Sequence, residues 1–190
     1  MSYTKKGFTL IELLIVIGIL AILATTVVLV LNPAQLLAET RDVQRLNDLD
    51  VIRSAVNLYL ASVTGATFPG TWTCTMSPTV LAPCLAATSN IVRTTGGLGW
   101  VNVNLGAISG GSPISLLPLD PNGSTPASQT AALHYSFRTA AGLLYELTAQ
   151  MESTKYSNPA AGNKESNDGG DNPNCYEVGN DLALVGIAEC

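Results

Sequence analysis

Residues 8–31 read FTLIELLIVIGILAILATTVVLVL, and this stretch decides how the rest of the chain is understood. It carries a single ionisable side chain, Glu12. As a helix rising 1.5 Å per residue it would be about 36 Å long, enough to cross the ~30 Å hydrocarbon core of a bilayer. A secretory signal has a shorter apolar core, about 7–15 residues, followed by a small-residue cleavage site. ATTVVLVLNPAQ offers no such site. The run is therefore predicted to be a membrane-spanning helix. Lys5 and Lys6 stand directly before it and favour a cytoplasmic N-terminus, a bias that Arg41 and Arg45 beyond the span weaken. Cys74, Cys84, Cys175 and Cys190 all lie beyond the span. An even set on one side is expected to pair in an oxidising, exported compartment.

The rest of the composition narrows the function. Of 190 residues, 47% are hydrophobic and only 12% charged, which argues against a disordered chain. The net charge is −5, from 9 basic and 14 acidic residues. A nucleic-acid reader needs a basic patch to displace counterions, so nucleic acid is not an expected partner. With one His and no HExxH, GxSxG or Walker A pattern, no nucleophile–base pair is legible and the chain is not expected to be an enzyme.

Glu12 is the residue that demands an explanation. A carboxylate in an apolar span costs roughly 2.5–3.5 kcal/mol at its centre by insertion scales. One reading is a snorkelling or protonated edge carboxyl. The other is a carboxylate that awaits a cation. No Lys or Arg lies within residues 8–31, but cutting the Gly7–Phe8 bond would create an α-amino group on Phe8. A neighbouring copy could then offer that amine.

KKGFTLIELLIVIGILAILA resembles the N-terminus of type IV prepilins and type II secretion pseudopilins, through Lys5, Lys6, Gly7, Phe8, Thr9, Leu10 and Glu12. The resemblance implies cytoplasmic cleavage after Gly7 by a prepilin peptidase, which would also N-methylate Phe8. It implies that Phe8 and Glu12 take part in packing copies into a helical filament. The chain then divides into a leader (1–7), a transmembrane and filament-core helix (8–31), an amphipathic continuation (32–63) and an exported pilin-like domain (64–190). The expected partners are the peptidase/methyltransferase, other copies and minor pilins, an inner-membrane assembly platform, and lipid before assembly. The expected location is the inner membrane with an exported C-terminal domain, then an extracellular or periplasmic filament.

Asn32-Pro33 either ends the first helix before a short linker or kinks one long helix, and the kink is predicted because residues 34–63 are helical by pattern. Leu36, Val43, Leu46, Leu49, Ile52, Val56, Tyr59, Leu60 and Val63 recur at helical spacing. Glu39, Arg41, Asp42, Arg45, Asp48, Asp50 and Arg53 are assigned to a solvated face, with Arg45–Asp48 and Asp50–Arg53 as weak i,i+3 pairs. RDVQRLNDLDVIRSAVNLYL resembles the helix that pseudopilins lay on their sheet. Strands are predicted at 99–105, 133–139, 143–150 and 183–187, giving an α+β fold with a small antiparallel sheet. Alternation places Tyr135 and Phe137 on one face and sends His134 to the surface. Asp120-Pro121-Asn122-Gly123 is a turn by its chemistry, and LLPLDPNG resembles the DP-containing loop of major pseudopilins.

In the polar stretch 154–175, Asp168 and Asp171, with Asp181 beyond it, are candidate oxygen ligands for calcium, against the alternative of a solvated Gly/Asp turn. Some pseudopilins carry calcium near their C-terminal loops; no other cofactor is expected. Four cysteines allow three connectivities. Cys74–Cys84 with Cys175–Cys190 is the local pairing, and the second bridge resembles the C-terminal disulfide loop of many type IV pilins.

The expected function is structural, a pilus or pseudopilus subunit. The helix and DP loop favour a secretion pseudopilin, the cysteine-clipped C-terminus a pilin. The competing class is a signal-anchored surface receptor or adhesin that does not polymerise.

Overall fold

The computed structural model describes residues 7–75, 88–122, 133–157 and 162–185. Two helices come first, α1 over Leu10–Leu31 and α2 over Pro33–Ser62. The chain forms two compact units that divide between Leu37 and Ala38.

Helix α1 is apolar on every side and exposed along its length within its own chain. It is long and apolar enough to cross a membrane. Its two threonines do not leave polar groups open: Thr25 Oγ1 donates to the Ile22 carbonyl and Thr26 Oγ1 to the Leu23 carbonyl, both at 2.8 Å. The helix stops at Asn32, which takes the left-handed conformation (φ 39°) that ends helices. Pro33 then occupies the first position of α2, where its missing N–H costs nothing. The expected kinked single helix is therefore two helices separated by one residue. The proline is tolerated because a new helix starts on it.

Five strands follow: β1 Trp72–Cys74, β2 Thr88–Ser89, β3 Tyr135–Ala140, β4 Leu144–Ala149 and β5 Tyr176–Gly179. Their spatial order is β2-β1-β3-β4-β5. All neighbours are antiparallel except β1–β2, so the α+β arrangement holds. The hairpin β3–β4 lies one or two residues from its expected bounds and turns through Gly142 (φ 84°) and Leu143 (φ 63°).

Register puts Thr73, Tyr135, Phe137, Tyr145, Leu147, Ala149 and Val178 on the face towards α2. There all but Thr73 form one core with Leu49, Ile52, Ala55, Val56 and Tyr59 of the helix, and with Trp100, Val103, Leu105 and Leu117 of the intervening segment. Two tyrosine hydroxyls tie the layers together, Tyr135 to Asp48 (2.9 Å) and Tyr145 to Asn57 (2.7 Å).

Several expectations need correction. Residues 99–105 form no strand. Trp100, Val101, Val103 and Leu105 lie inside, but the backbone pairs within its own loop. Trp100 N donates to Val92 O, Leu105 N to Thr95 O and Leu117 N to Arg93 O. Gly99 permits this folding, since a Cβ there would stand 2.1 Å from Thr94 O. Of the expected strand 183–187, residues 183–185 are turn and bend, and the rest lies outside the described residues. The last strand is β5 instead. His134 is buried at 3% exposure, not a surface residue, because the second face of the sheet is covered as well. On α2, Val43 is exposed while Asp42 and Arg45 are fully buried. The buried stripe is Ala38, Asp42, Arg45, Leu49, Ile52, Ala55, Val56 and Tyr59. Its helical period is as read; its polar members are not.

Candidate functional site

The first candidate is the junction before α1. Gly7, Phe8 and Thr9 precede the helix and are exposed. The Gly7–Phe8 bond thus lies on non-helical chain, the form that a peptidase can thread. A Cβ at Gly7 would meet nothing within 4 Å, so this chain itself makes no steric demand for glycine there. Any such demand must come from a binding partner. Lys5 and Lys6 lie outside the described residues.

Glu12 has a role that the sequence reading did not assign. Thr9 is the N-cap of α1, with extended backbone (φ −83°, ψ 150°), and its hydroxyl accepts from the Glu12 N–H at 3.3 Å. The Glu12 carboxylate reaches back to accept from Thr9 N (2.9 Å) and Thr9 Oγ1 (2.8 Å). This reciprocal capping box satisfies donors that the helix start would otherwise leave open, and it sets a negative charge at the positive end of the helix dipole. Glu12 is therefore not without a partner inside its own chain.

The second candidate is a buried ionic cluster at the start of α2. Arg45 Nε and Nη2 form a fork on Asp120, at 2.6 Å to Oδ2 and 2.9 Å to Oδ1. Arg45 Nη1 donates to Asp42 Oδ1 at 2.6 Å. All three side chains are fully buried. Asp42 also accepts from the N–H groups of Glu152 (2.9 Å) and Ser153 (2.8 Å). Arg41 makes a second fork, on Glu152. Burial works against the charge on Arg45, but its hydrogen bonds and charge pairing with Asp120 and Asp42 outweigh it and raise its pKa. The Arg41 hydrogen bond is the chief reason that Glu152 titrates below the usual carboxylate range. The Asp120-Pro121-Asn122 turn forms as expected, with Asn122 N donating to Asp120 Oδ1 at 2.9 Å. Its aspartate doubles as the receptor for Arg45. The expected Arg45–Asp48 pair is replaced by Arg45 with Asp42 and Asp120, whereas Asp50–Arg53 forms at 2.9 Å on the surface. Chemically the cluster is a clamp. It fastens the helix to two loops and brings no nucleophile to a base.

Two of the three acidic residues named near the C-terminus already accept from backbone N–H groups. Asp168 has both oxygens engaged, Oδ1 by Gly170 N (3.0 Å) and Oδ2 by Glu177 N (2.6 Å). Asp181 Oδ1 accepts from Ala183 N at 3.3 Å, and Asp171 is exposed. Among the described residues no group of three or more His, Cys, Asp or Glu is arranged to hold a metal. Cys74 and Cys175 are fully buried and disulfide-bonded. Cys84 and Cys190 lie outside the described residues, so the expected pairing does too.

Residues 3–28 match the family model of the prokaryotic N-terminal methylation motif, the signature of type IV pilins and pseudopilins. The match covers the junction and most of α1. No curated protein and no solved structure matches the chain.

Proposed function

We propose that this chain is a pilin- or pseudopilin-like prepilin that is cut after Gly7, methylated on the Phe8 amine and built into a filament through α1. The observation that carries the reading is the junction itself. A glycine–phenylalanine bond on non-helical chain stands two residues before a capped helix whose one ionisable side chain is Glu12, inside a methylation-motif match. The partners are a prepilin peptidase/methyltransferase, lipid around α1 before assembly, and then other copies, minor pilins and an assembly platform. The chain is anchored in the inner membrane, exports the unit that begins at Ala38, and has a structural role with no catalytic one.

In the mature protein the Phe8 amine would lie one residue from Thr9 N, the donor that Glu12 engages. Glu12 then faces a choice between its own cap and the amine of an adjoining copy. The capping box also supports a second reading, a signal-anchored receptor or adhesin in which Glu12 only caps α1 and no filament forms. Sheared-fibre yield from wild type separates the two, and Glu12→Gln then tests the ion pair, because an amide oxygen can keep the cap but cannot pair with an amine as an ion. Under the filament reading this variant is processed and resident in the membrane, and its sheared-fibre yield falls at least tenfold. Wild-type fibre yield from this variant would remove the ion pair from the filament reading, and a wild-type chain that gives no sheared fibres would support the anchored reading.

Processing is tested by intact mass and N-terminal analysis of native protein. The expected species begins at N-methylated Phe8. Gly7→Val should accumulate as membrane-bound precursor, and normal maturation of that variant would count against the proposal.

A further inference from the structure

Processing as proposed above involves the chain at two places. A peptidase hydrolyses the Gly7–Phe8 amide, leaving a carboxylate on Gly7 and an amine on Phe8. Lipid meanwhile holds α1, which begins at Leu10. Only Phe8 and Thr9 stand between the bond and the helix. The match to the methylation motif runs through both places without a break, from residue 3 to residue 28.

Hydropathy does not fix where such a helix starts. Phe8 and Leu10 are apolar on either side of Thr9, and the run continues apolar beyond Glu12. Thr9 supplies what hydropathy lacks. Its hydroxyl accepts from Glu12 N at 3.3 Å, while Thr9 N and Thr9 Oγ1 donate to Glu12 Oε2 at 2.9 and 2.8 Å. Thr9 O accepts from Leu13 N at 3.3 Å, the bond with which a helix capped at Thr9 begins. The side-chain bonds need Thr9 at the cap and Glu12 three residues on, so a start one residue earlier or later forfeits them.

A slip of that size is large on the scale of chemistry. Each residue that leaves the helix for extended chain moves the bond outward by about 2 Å and turns the exit of the chain by about 100°. A misplacement of about 1 Å between reacting groups can cost a hundredfold in rate.

We propose that Thr9 is a positioning residue for processing: its capping box fixes the start of α1 and so presents the Gly7–Phe8 bond to the peptidase at one height and one angle. The inference rests on the processing proposed above. Thr9 acts through the helix start and not as a group that takes part in the hydrolysis. A chain whose helix starts elsewhere does not fit the enzyme, so losing the cap lowers the competent fraction. That loss raises KM and leaves kcat unchanged, because every chain that does bind is cut as before.

The test uses the full-length chain in lipid vesicles with a purified prepilin peptidase. Thr9→Val keeps the branched shape and removes the cap, whereas Thr9→Asn changes the shape and keeps a capping oxygen. For Thr9→Val the expected result is a KM raised about two- to fivefold at unchanged kcat, the range one lost N-cap side chain supplies. Thr9→Asn should match wild type. Amide exchange at residues 10–12 should follow the same order, quickened in Thr9→Val and at the wild-type rate in Thr9→Asn. Wild-type KM from Thr9→Val overturns the proposal. So does the reverse order of the two variants, which would mean that the enzyme reads the shape of the threonine. A lowered kcat at unchanged KM overturns it as well. A wild-type chain that is not cut removes the processing and the positioning role together, whereas a wild-type chain that is cut no faster than Thr9→Val removes the positioning role alone.

Discussion

Helices α1 and α2 adjoin across one residue, Asn32, yet they solve opposite problems. Helix α1 has three polar side chains, Glu12, Thr25 and Thr26, to place. Its capping box and its two back-bonded threonines satisfy their hydrogen bonds locally, and its apolar side chains are exposed within their own chain. Helix α2 is close to neutral in composition and buries a stripe whose first turns hold Asp42 and Arg45. Its polar groups are satisfied across the fold, by Asp120 and by the backbone at 152–153. The difference teaches that composition identifies the surroundings of a helix, while the identity of its buried residues depends on what the rest of the chain delivers.

The largest test of that contrast is Arg45→Ala. It leaves Asp42 and Asp120 buried without their cation, a loss of about 3–5 kcal/mol for a buried pair broken on one side. Denaturation followed by tryptophan fluorescence should show the unit from Ala38 onward destabilised by that order, with α1 content in detergent unchanged by circular dichroism. A loss below about 1 kcal/mol would mean that the clamp is dispensable and that α2 is held by its apolar stripe alone.

Thr9→Ala probes the other helix. Removing an N-cap side chain costs about 1 kcal/mol, felt only in the first turn of α1. Amide exchange at residues 10–12 should quicken several-fold, while the melting temperature of the α2-containing unit stays the same. Exchange at wild-type rate would show that apolar surroundings hold the helix start without its cap.

Acid separates the helices more gently. Arg41 holds the Glu152 carboxyl below its ordinary range, so its contribution is complete above about pH 4.3 and is lost as pH falls through the lowered folded value. The group is partly exposed, and its contribution is discounted to about 1 kcal/mol or less. Glu152→Gln should blunt acid unfolding of the unit below pH 4 in a stability-versus-pH series. An unchanged acid limb would assign that loss to other carboxylates.

The smallest expected effect concerns calcium. Both oxygens of Asp168 are engaged by backbone N–H groups. Millimolar calcium should therefore move the melting temperature by less than about 1 °C, whereas Asp168→Ala should lower it with or without the ion, two hydrogen bonds being worth about 1 kcal/mol each. A rise of several degrees that Asp168→Ala abolishes would return Asp168, Asp171 and Asp181 to the role of ligands.

What the sequence made legible follows the same division. Helix α1, the Gly7–Phe8 junction, the extent of α2 and the β3–β4 hairpin are all local patterns, and local periodicity carries them. Arg45 reads from its helix alone as a solvated residue, because its partner Asp120 is 75 positions away and no spacing rule connects them. Strands β1 and β5 have three and four residues in polar surroundings, too short for alternation to register. The Thr9–Glu12 spacing is a capping-box signature in plain view. Its apolar setting drew attention to a missing cation instead of to the threonine three residues earlier.

The threonines of α1 carry one more consequence. Because Thr25 and Thr26 donate to carbonyls of their own helix, they make no demand on lipid or on a neighbouring protein surface. Moving that segment from one apolar environment to another requires no hydrogen bond to break first. In the proposed assembly these two threonines would add no polar activation barrier to that transfer. Under the proposed function such a helix would be an interchangeable part, suited to fatty chains and to copies of itself alike.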